Sequence, residues 1–270
     1  MKKVKELAKK WYEKLQFEKK YDEEFYRILQ KKDNLTESDI HCYLKEENED
    51  KEKNFIMFLY FCEALSDKYN EKGIPEEILM NSLENLKIAV IETKNKEGIL
   101  GIEKDAWVTL ALKFELFRIE RLEFQLSKFY PEAVEYGYDV NENVVDVHIP
   151  GTGGGITPDV CDKSFSEAEV FLKKYFPEYS FRYYTCFSWM LDDTLAQFLD
   201  ENSNIRKFRN RFTVIHKREQ DSILHFMFKM GIKDREELLE CDAKSSFAQK
   251  VKDYALQGGK FYNVLGIKER

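Results

Sequence analysis

The hydrophobic period of this 270-residue chain changes near Phe117, and no other feature limits its fold as narrowly. Before that point apolar residues recur every three or four positions, as in KELAKKWYEKLQF, NFIMFLYFCEALSDKYNEKG and PEEILMNSLENLKIAVIETKNKEG. This spacing is typical of helix faces. After it, FRIERLEFQLSKF alternates apolar and polar residues, which is typical of strands. We therefore predict an α+β chain, with a helical domain over residues 1–115 and a mixed sheet domain over residues 116–270.

A strand, a glycine-rich turn and a helix follow one another after Val144. VVDVHIP predicts the strand, and Thr157 and Pro158 are residue types favoured at the N-cap and first position of a helix. Glycines let a ligand approach the backbone, and helix N-termini attract anions. The segment therefore predicts an anion-binding turn made of Gly151, Thr152, Gly153, Gly154, Gly155, Ile156 and Thr157. A flexible connection into a capped helix is the alternative, because the carboxylate of Asp159 would oppose an anion.

Further strands and helices are predicted after this turn. FRYYTCFSWML reads as a strand, and the intervening helix has the length of a crossover, so this strand and VVDVHIP are predicted to be parallel neighbours. NRFTVIHKR predicts another strand, and REELLECDAKSSFAQKVKDYALQGG predicts helix. VEYGYDVNENVVDVHIP predicts a hairpin with Gly137 at a bulge. The helical part includes a predicted N-cap at Thr36.

Composition excludes several classes of protein. A formal charge of -7 argues against a dedicated nucleic-acid binder. No run of 18 apolar residues is present, which predicts that the chain has no transmembrane helix, and the basic N-terminus lacks the apolar core of a signal peptide. Five widely spaced cysteines without a CxxC pair fit reduced thiols and predict no metal site. We therefore expect a cytoplasmic protein with no nucleic-acid or membrane partner.

Five segments carry a resemblance to a known family. They are GIPEEILMNSLENL at 73–86, LFRIERLEFQL at 116–126, VDVHIPGTGGGITPDVCDKSFSEAEVFLKKYFPE at 145–178, CFSWMLDDTLAQFLDENSNIRKFRNRF at 186–212 and SSFAQKVKDYALQGGKFYNVLGI at 245–267. The fixed order of HIP, ITP, SWML and SNI resembles a bacterial family of acyltransferases. In that family a helical N-terminal domain precedes a domain similar to the GCN5-related N-acetyltransferase (GNAT) fold.

The resemblance implies a fold, a co-substrate and a reaction. It implies that acyl-CoA or acetyl-CoA binds with its pyrophosphate at the turn, and it implies no particular acceptor. Our own hypothesis is that the acyl group passes by direct attack to an amine-type small-molecule acceptor. The basic run RKFRNR at 206–211 would then receive CoA phosphates or line a solvated edge. The usual GNAT turn begins with Gln or Arg, whereas His148, Ile149 and Pro150 precede it here. A non-catalytic GNAT-like binding or regulatory protein is therefore the alternative.

Four side chains are candidates for the chemistry. An imidazole at His148, at the end of a strand, suits a general base, and the carboxylate of Glu123 is a second candidate. Tyr184 is implied by the resemblance as the acid that protonates the departing thiolate, and Cys186 on the same strand face is a candidate nucleophile. Three of them have a structural alternative: a strand-closing hydrogen bond for His148, a paired surface charge for Glu123 and a small buried thiol for Cys186.

The helix around NFIMFLYF is apolar on more than one face. Such a helix is buried all round, in the core of the chain or at a homodimer surface.

Overall fold

A computed structural model describes residues 2–32, 43, 49–103, 106–228 and 235–270. The predicted cap at Thr36 lies outside these residues. The chain divides into two compact units, one made of Met1–Ile119 with Pro150–Thr152 and the other of Glu120–Ile149 with Gly153–Arg270.

The first unit is helical up to its last few residues. Its elements are α1 (Lys2–Lys14), α2 (Asp22–Lys31), α3 (Lys51–Lys72), α4 (Glu76–Glu97), α5 (Ala106–Leu112) and β1 (Leu116–Ile119). Among the described residues strands begin only at Leu116, as the change of hydrophobic period predicts. Left-handed glycines end both long helices, Gly73 at φ 67 and Gly98 at φ 74, where a side chain would be strained.

Helix α3 is buried on all its faces near its start. Five consecutive side chains are at most 1% exposed: Phe55, Ile56, Met57, Phe58 and Leu59. Within the unit, Trp11 on α1 donates its indole N–H to Glu63 on α3 over 2.7 Å. The apolar run therefore forms core, as its lack of a polar face predicts.

The second unit is built on a mixed sheet. Its elements are β2 (Leu122–Lys128), β3 (Asn143–His148), α6 (Pro158–Tyr175), β4 (Tyr183–Ser188), α7 (Asn204–Arg209), β5 (Thr213–Glu219), α8 (Ser222–Phe228), α9 (Arg235–Glu240), α10 (Ser246–Leu256) and β6 (Tyr262–Glu269). The strands lie in the order β2-β3-β4-β6-β5. Strands β3 and β4 are parallel, as predicted for two strands joined by a crossover helix, and the other pairs in this run are antiparallel.

Two local predictions are wrong, and one strand was missed. FRIERLEFQLSKF forms two strands rather than one, because Glu120 takes a left-handed φ of 56 between them. Gly137 ends a short 3-10 helix over Pro131–Tyr136 and is not a bulge, so the strand antiparallel to β3 is β2. Strand β6 was not predicted. It contains Gly266, where an added Cβ would lie 2.7 Å from Leu191 and Phe212, so close packing requires glycine in this strand.

Candidate active site

The ladder between the parallel strands β3 and β4 ends before either strand does. It pairs Val144 with Tyr183, Val145 with Tyr184, and Asp146 with Thr185. Strand β3 continues beyond the last pair to His148, and β4 continues to Ser188. This stretch, in which the two strands no longer pair with each other, is the gap between β3 and β4, and strand edges of this kind can bind an extended ligand.

Tyr179 forms hydrogen bonds at the other end of β3. Tyr179 Oη accepts a hydrogen bond from the Ser127 N–H over 2.8 Å. The same oxygen lies 2.6 Å from the carbonyl oxygen of Ser127 and 2.8 Å from that of Val144. One hydroxyl thus links β2, β3 and the segment that leads into β4.

A row of polar side chains lies on one face of β2 and β3. Glu123 stands opposite His148 and Gln125 opposite Asp146 in the antiparallel ladder, so the four side chains share a face. Glu123 is 0% exposed and Asp146 is 1% exposed. Buried carboxylates are costly unless they are paired or functional, so this row is a candidate for chemistry.

The imidazole of His148 faces two oxygen acceptors. Its Nε2 lies 2.9 Å from Gln125 Oε1 and 3.5 Å from Asp146 Oδ2. Burial lowers the pKa of His148, and the negative charge of Asp146 opposes that shift. The ring is therefore neutral near pH 7, which is the state that a general base requires.

The carboxylate of Asp146 is fixed by two hydroxyl donors. Thr185 donates to Oδ1 over 2.8 Å, and Tyr130 donates to Oδ2. Burial, with the charge of Asp146 as a second cause, raises the pKa of Tyr130. The phenol therefore remains a donor at neutral pH, and the carboxylate is held in one orientation.

Tyr184 and Cys186 lie on the opposite face of the sheet from this row. Tyr184 donates its hydroxyl to Glu169 over 2.5 Å and packs edge-on against Phe124 and Phe165. Burial raises the pKa of both groups, that of Cys186 well above its usual range. A protonated, fully buried thiol is a poor nucleophile, so the geometry favours a packing role for both residues.

The glycine turn has two left-handed positions. Gly153 has a φ of 90 and Gly154 a φ of 84, which favour glycine over any other residue. Gly153, Gly154 and Gly155 are exposed, whereas Ile156 is buried. The turn therefore presents its backbone rather than side chains at the start of α6.

An arginine that the sequence analysis did not select supports this turn. Arg121, in the second unit, donates Nε–H to the carbonyl of Gly154 over 2.9 Å. Its backbone N–H donates to Ser164 Oγ over 3.0 Å, which ties it to α6. The guanidinium is thus held beside the exposed glycines.

A second arginine lies at the first turn of α6. Arg211 forms an ion pair with Asp162 and donates to the carbonyl of Pro158 over 2.9 Å. Burial raises the pKa of Cys161 in this turn, and the charges of Arg211 and Arg121 oppose that shift. Both guanidinium groups therefore act on the N-terminus of α6, where they add positive charge to the helix dipole.

The N-terminus of α6 already holds an acidic side chain. Thr157 is the N-cap, as predicted, but its hydroxyl makes no capping bond to the helix. The Thr157 hydroxyl, with the backbone N–H groups of Asp159 and Val160, lowers the pKa of Asp159. An anion at this site would compete with that carboxylate.

Gly151 and Thr152 belong to the first unit by their contacts. There, Arg118 donates to Thr152 Oγ1 over 3.2 Å and pairs with Glu84 over 2.7 Å. The predicted turn residues are therefore not one cluster: the second unit assembles the five from Gly153 to Thr157.

The structure brings together two of the four candidate catalytic residues, His148 and Glu123. The partners that sequence reasoning missed are Gln125, Tyr130, Asp146 and Thr185. One signal was available for Asp146: it stands two residues before His148 in an apolar strand, which places both side chains on one face. Tyr130 and Thr185 carry no comparable signal, because their contacts depend on the fold.

Two family models match the chain. An N-acyltransferase N-terminal domain matches residues 3–114, and a GNAT-like C-terminal domain matches residues 116–268. The chain therefore belongs to the N-acyltransferase family that combines these two domains. The predicted family and the predicted α+β fold class are both confirmed. No curated protein matches the chain.

Solved acyltransferase structures are similar to this chain. An acyltransferase in complex with decanoyl-CoA superposes with a TM-score of 0.71 at 29% identity, covering 80% of this chain and 65% of that one. An acyltransferase in complex with decanoyl-CoA and teicoplanin gives 0.70 at 27% identity, covering 81% and 67%. A mutant acyltransferase with octanoyl-CoA gives 0.71 at 27%, with the same coverage. The chain thus spans slightly less than two thirds of the first of these structures.

Two features are absent from the described residues. None of the helices in that part of the chain is both long and apolar enough to cross a membrane. No group of three or more His, Cys, Asp and Glu side chains among those residues is arranged to hold a metal ion.

Proposed function

We propose that this protein transfers an acyl group from acyl-CoA to an amine of a small-molecule acceptor, by direct attack within a ternary complex. The observation that carries the proposal is the gap between β3 and β4, which opens beside a buried polar row that contains a neutral imidazole. Family membership and the acyl-CoA complexes of the similar structures support it.

The pantetheine arm would lie in the gap. An extended amide chain matches the free strand edges beyond the last ladder pair, Asp146 with Thr185. The pyrophosphate would lie against the turn from Gly153 to Thr157, where Arg121 and Arg211 supply the positive charge that a bisphosphate requires.

His148 would act as the general base. The amine nitrogen attacks the thioester carbonyl, the C–S bond breaks, and the proton that the amine loses passes to the imidazole and then to the departing thiolate or to water. Holding both substrates beside this base supplies most of the rate enhancement that such a site requires. No covalent enzyme intermediate is needed, so the mechanism assigns no step to Cys186.

The acyl chain is expected to be of medium length rather than acetyl. The similar structures hold decanoyl-CoA and octanoyl-CoA. We therefore narrow the expected co-substrate from acyl-CoA in general to octanoyl-CoA and decanoyl-CoA.

A thermal-shift series tests the co-substrate. CoA, acetyl-CoA, octanoyl-CoA and decanoyl-CoA are added separately, with free octanoate as the control for detergent-like effects. A ligand at 100 times its dissociation constant stabilises a protein by about 2.7 kcal/mol. We expect a shift with CoA and with all three thioesters, largest with the two medium chains, and none with octanoate.

A transfer assay tests the reaction. Release of CoA thiol from octanoyl-CoA is followed with teicoplanin and with a panel of primary amines. Acceptor-dependent release supports the proposal. Binding of CoA without release for any acceptor, together with an unchanged CoA affinity in His148→Gln, favours the alternative of a non-catalytic binding protein.

A further inference from the structure

The buried carboxylate of Asp146 has no direct role in acyl transfer, yet it occupies the centre of the polar row. Its oxygens accept from Thr185 and Tyr130, and Oδ2 also lies 3.5 Å from His148 Nε2. Burial of a carboxylate is costly unless its charge is matched, so a role is expected for it.

The acceptors around His148 define its tautomer. A carboxylate oxygen accepts hydrogen bonds and donates none, and the amide oxygen of Gln125 does the same. Both lie on the Nε2 side of the ring. Nε2 must therefore carry the proton in the neutral ring, and the lone pair resides on Nδ1.

We propose that Asp146 is a positioning residue, which acts with Gln125 to hold His148 as the Nε2–H tautomer and stabilises the imidazolium that forms when Nδ1 takes the proton of the attacking amine. The proposal rests on the function proposed above. One proton is transferred in this reaction. It leaves the amine, binds to Nδ1 and then passes to the thiolate or to water.

Several other groups face this pair within the unit. On β2, Glu123 is the cross-strand neighbour of His148 and is fully buried. Tyr130 and Cys186 both lie close enough to Asp146 for its charge to affect them. The protonation of His148 therefore depends on all of these groups together. Only variants that change one group at a time separate their effects.

Two variants should shift the pKa of the His148 imidazole in opposite directions. Asp146→Asn removes the negative charge and keeps the shape, so the pKa of His148 falls, by about one unit or more. Tyr130→Phe removes the donor that competes for Oδ2, which leaves more of the negative charge available to His148, so its pKa rises. Asp192→Asn is the matched control, because Asp192 is also a buried carboxylate with two donors, the N–H groups of Thr194 and Tyr262.

Histidine-labelled protein in ¹⁵N NMR gives the readout, with the four histidines assigned by means of His148→Gln. We expect the Nε2–H tautomer in the wild type, a lower His148 pKa in Asp146→Asn, a higher one in Tyr130→Phe, and no change in Asp192→Asn. The Nδ1–H tautomer in the wild type, or an unchanged pKa in Asp146→Asn, would overturn the proposal. The tautomer is measured on the wild-type protein, so the proposal can still be tested if Asp146→Asn does not fold.

Transfer kinetics separate this proposal from the function on which it rests. With octanoyl-CoA and an active amine, Asp146→Asn should lower kcat about tenfold or more, leave KM for octanoyl-CoA unchanged and move the acidic limb of the pH profile to lower pH. If the NMR shifts appear as predicted but no acceptor supports transfer, the pairing of Asp146 with His148 is confirmed and the proposed function is wrong. If Asp146→Asn is active and the acidic limb of its pH profile does not move, Asp146 has only a structural role.

Discussion

Thr185 donates its hydroxyl to Asp146 over 2.8 Å across the last pair of the β3–β4 ladder. The two residues that end the regular pairing of the strands are thus also joined by their side chains. The position where the gap opens is fixed by the same hydrogen bond that orients the buried carboxylate.

Thr185→Val should destabilise the fold. It keeps the β-branched shape but leaves one oxygen of a buried carboxylate without its donor, which costs about 1–3 kcal/mol. Urea denaturation measures the loss. Thr213→Val on β5 is the matched control, because Thr213 is exposed and its hydroxyl has no such role; equal effects of the two substitutions would contradict the prediction.

Gly155→Val should weaken CoA binding without weakening the fold. A Cβ at Gly155 meets no atom within 4 Å, and its φ lies outside the left-handed region, so a side chain is accommodated. It would fill the space proposed for the pyrophosphate, at a cost of about 1–3 kcal/mol in binding. Calorimetric titration with CoA and a melting curve of the free protein give the two measurements.

Gly154, next to Gly155, should respond differently to substitution in the stability of the free protein. Gly154→Ala places a side chain at φ 84, which strains the backbone by about 1–2 kcal/mol. It should therefore lower the stability of the free protein, unlike Gly155→Val. Unchanged CoA affinity in Gly155→Val would remove the turn from the proposed site.

Asp159→Ala should strengthen CoA binding, against the usual direction of mutational effects. The substitution removes a negative charge from the helix N-terminus, next to the N–H groups of Asp159 and Val160. Such a charge acts on an anion at the first turn of a helix, so we expect a gain of a few-fold in CoA affinity. Titration with CoA is compared with Glu167→Ala, which removes an exposed acid further along α6; weaker binding in Asp159→Ala alone would count against the anion site.

His148→Gln should reduce the loss of stability in acid. Burial lowers the pKa of His148, so below its ordinary value of 6.5 the unfolded chain takes up a proton that the folded state does not. Stability is therefore complete above about pH 6.5 and falls as the pH drops towards the folded pKa. Melting temperatures between pH 7.5 and about 5 should fall less steeply in His148→Gln than in the wild type. Parallel curves would show that the imidazole is not desolvated.

Cys186→Ala should retain acyl transfer. Cys62, Cys161 and Cys186 are buried with raised pKa values, whereas Cys241 is half-buried. In the native protein a thiol reagent should therefore modify Cys241 well before these three. Loss of transfer in a folded Cys186→Ala, or early modification of Cys186, would restore it as a nucleophile.

The sequence predicted those parts of the fold that depend on local signals. Helix α6 begins at Pro158 as expected, because capping preferences act within one turn. Strand β6 escaped prediction because Gly266 reads as a turn residue, and only the contacts of Leu191 and Phe212 explain it. Long-range packing of this kind overrides local preference.

The same division applies to the site. His148 and the turn were predicted from residue type, whereas Arg121 was not, because a lone arginine between two strands has no sequence signature. Period-two alternation correctly placed Thr185 on the opposite face of β4 from Tyr184 and Cys186. The sequence analysis placed the chemistry on the face of Tyr184 and Cys186, which was wrong, because the face that carries the polar row depends on what β2 and β3 place beside it.

Tyr179 gives the β3–β4 pair a fixed end and a free end. Its single oxygen holds Ser127 and Val144, and His148 lies four residues further along β3, about 13 Å away at the usual rise of a strand. Strand β3 stays paired with β2 as far as His148, so β3 can move away from β4 only together with β2. A substitution of Tyr179 would therefore act on the width of the proposed acyl-CoA gap through the β2–β3 pair, without any contact to the ligand.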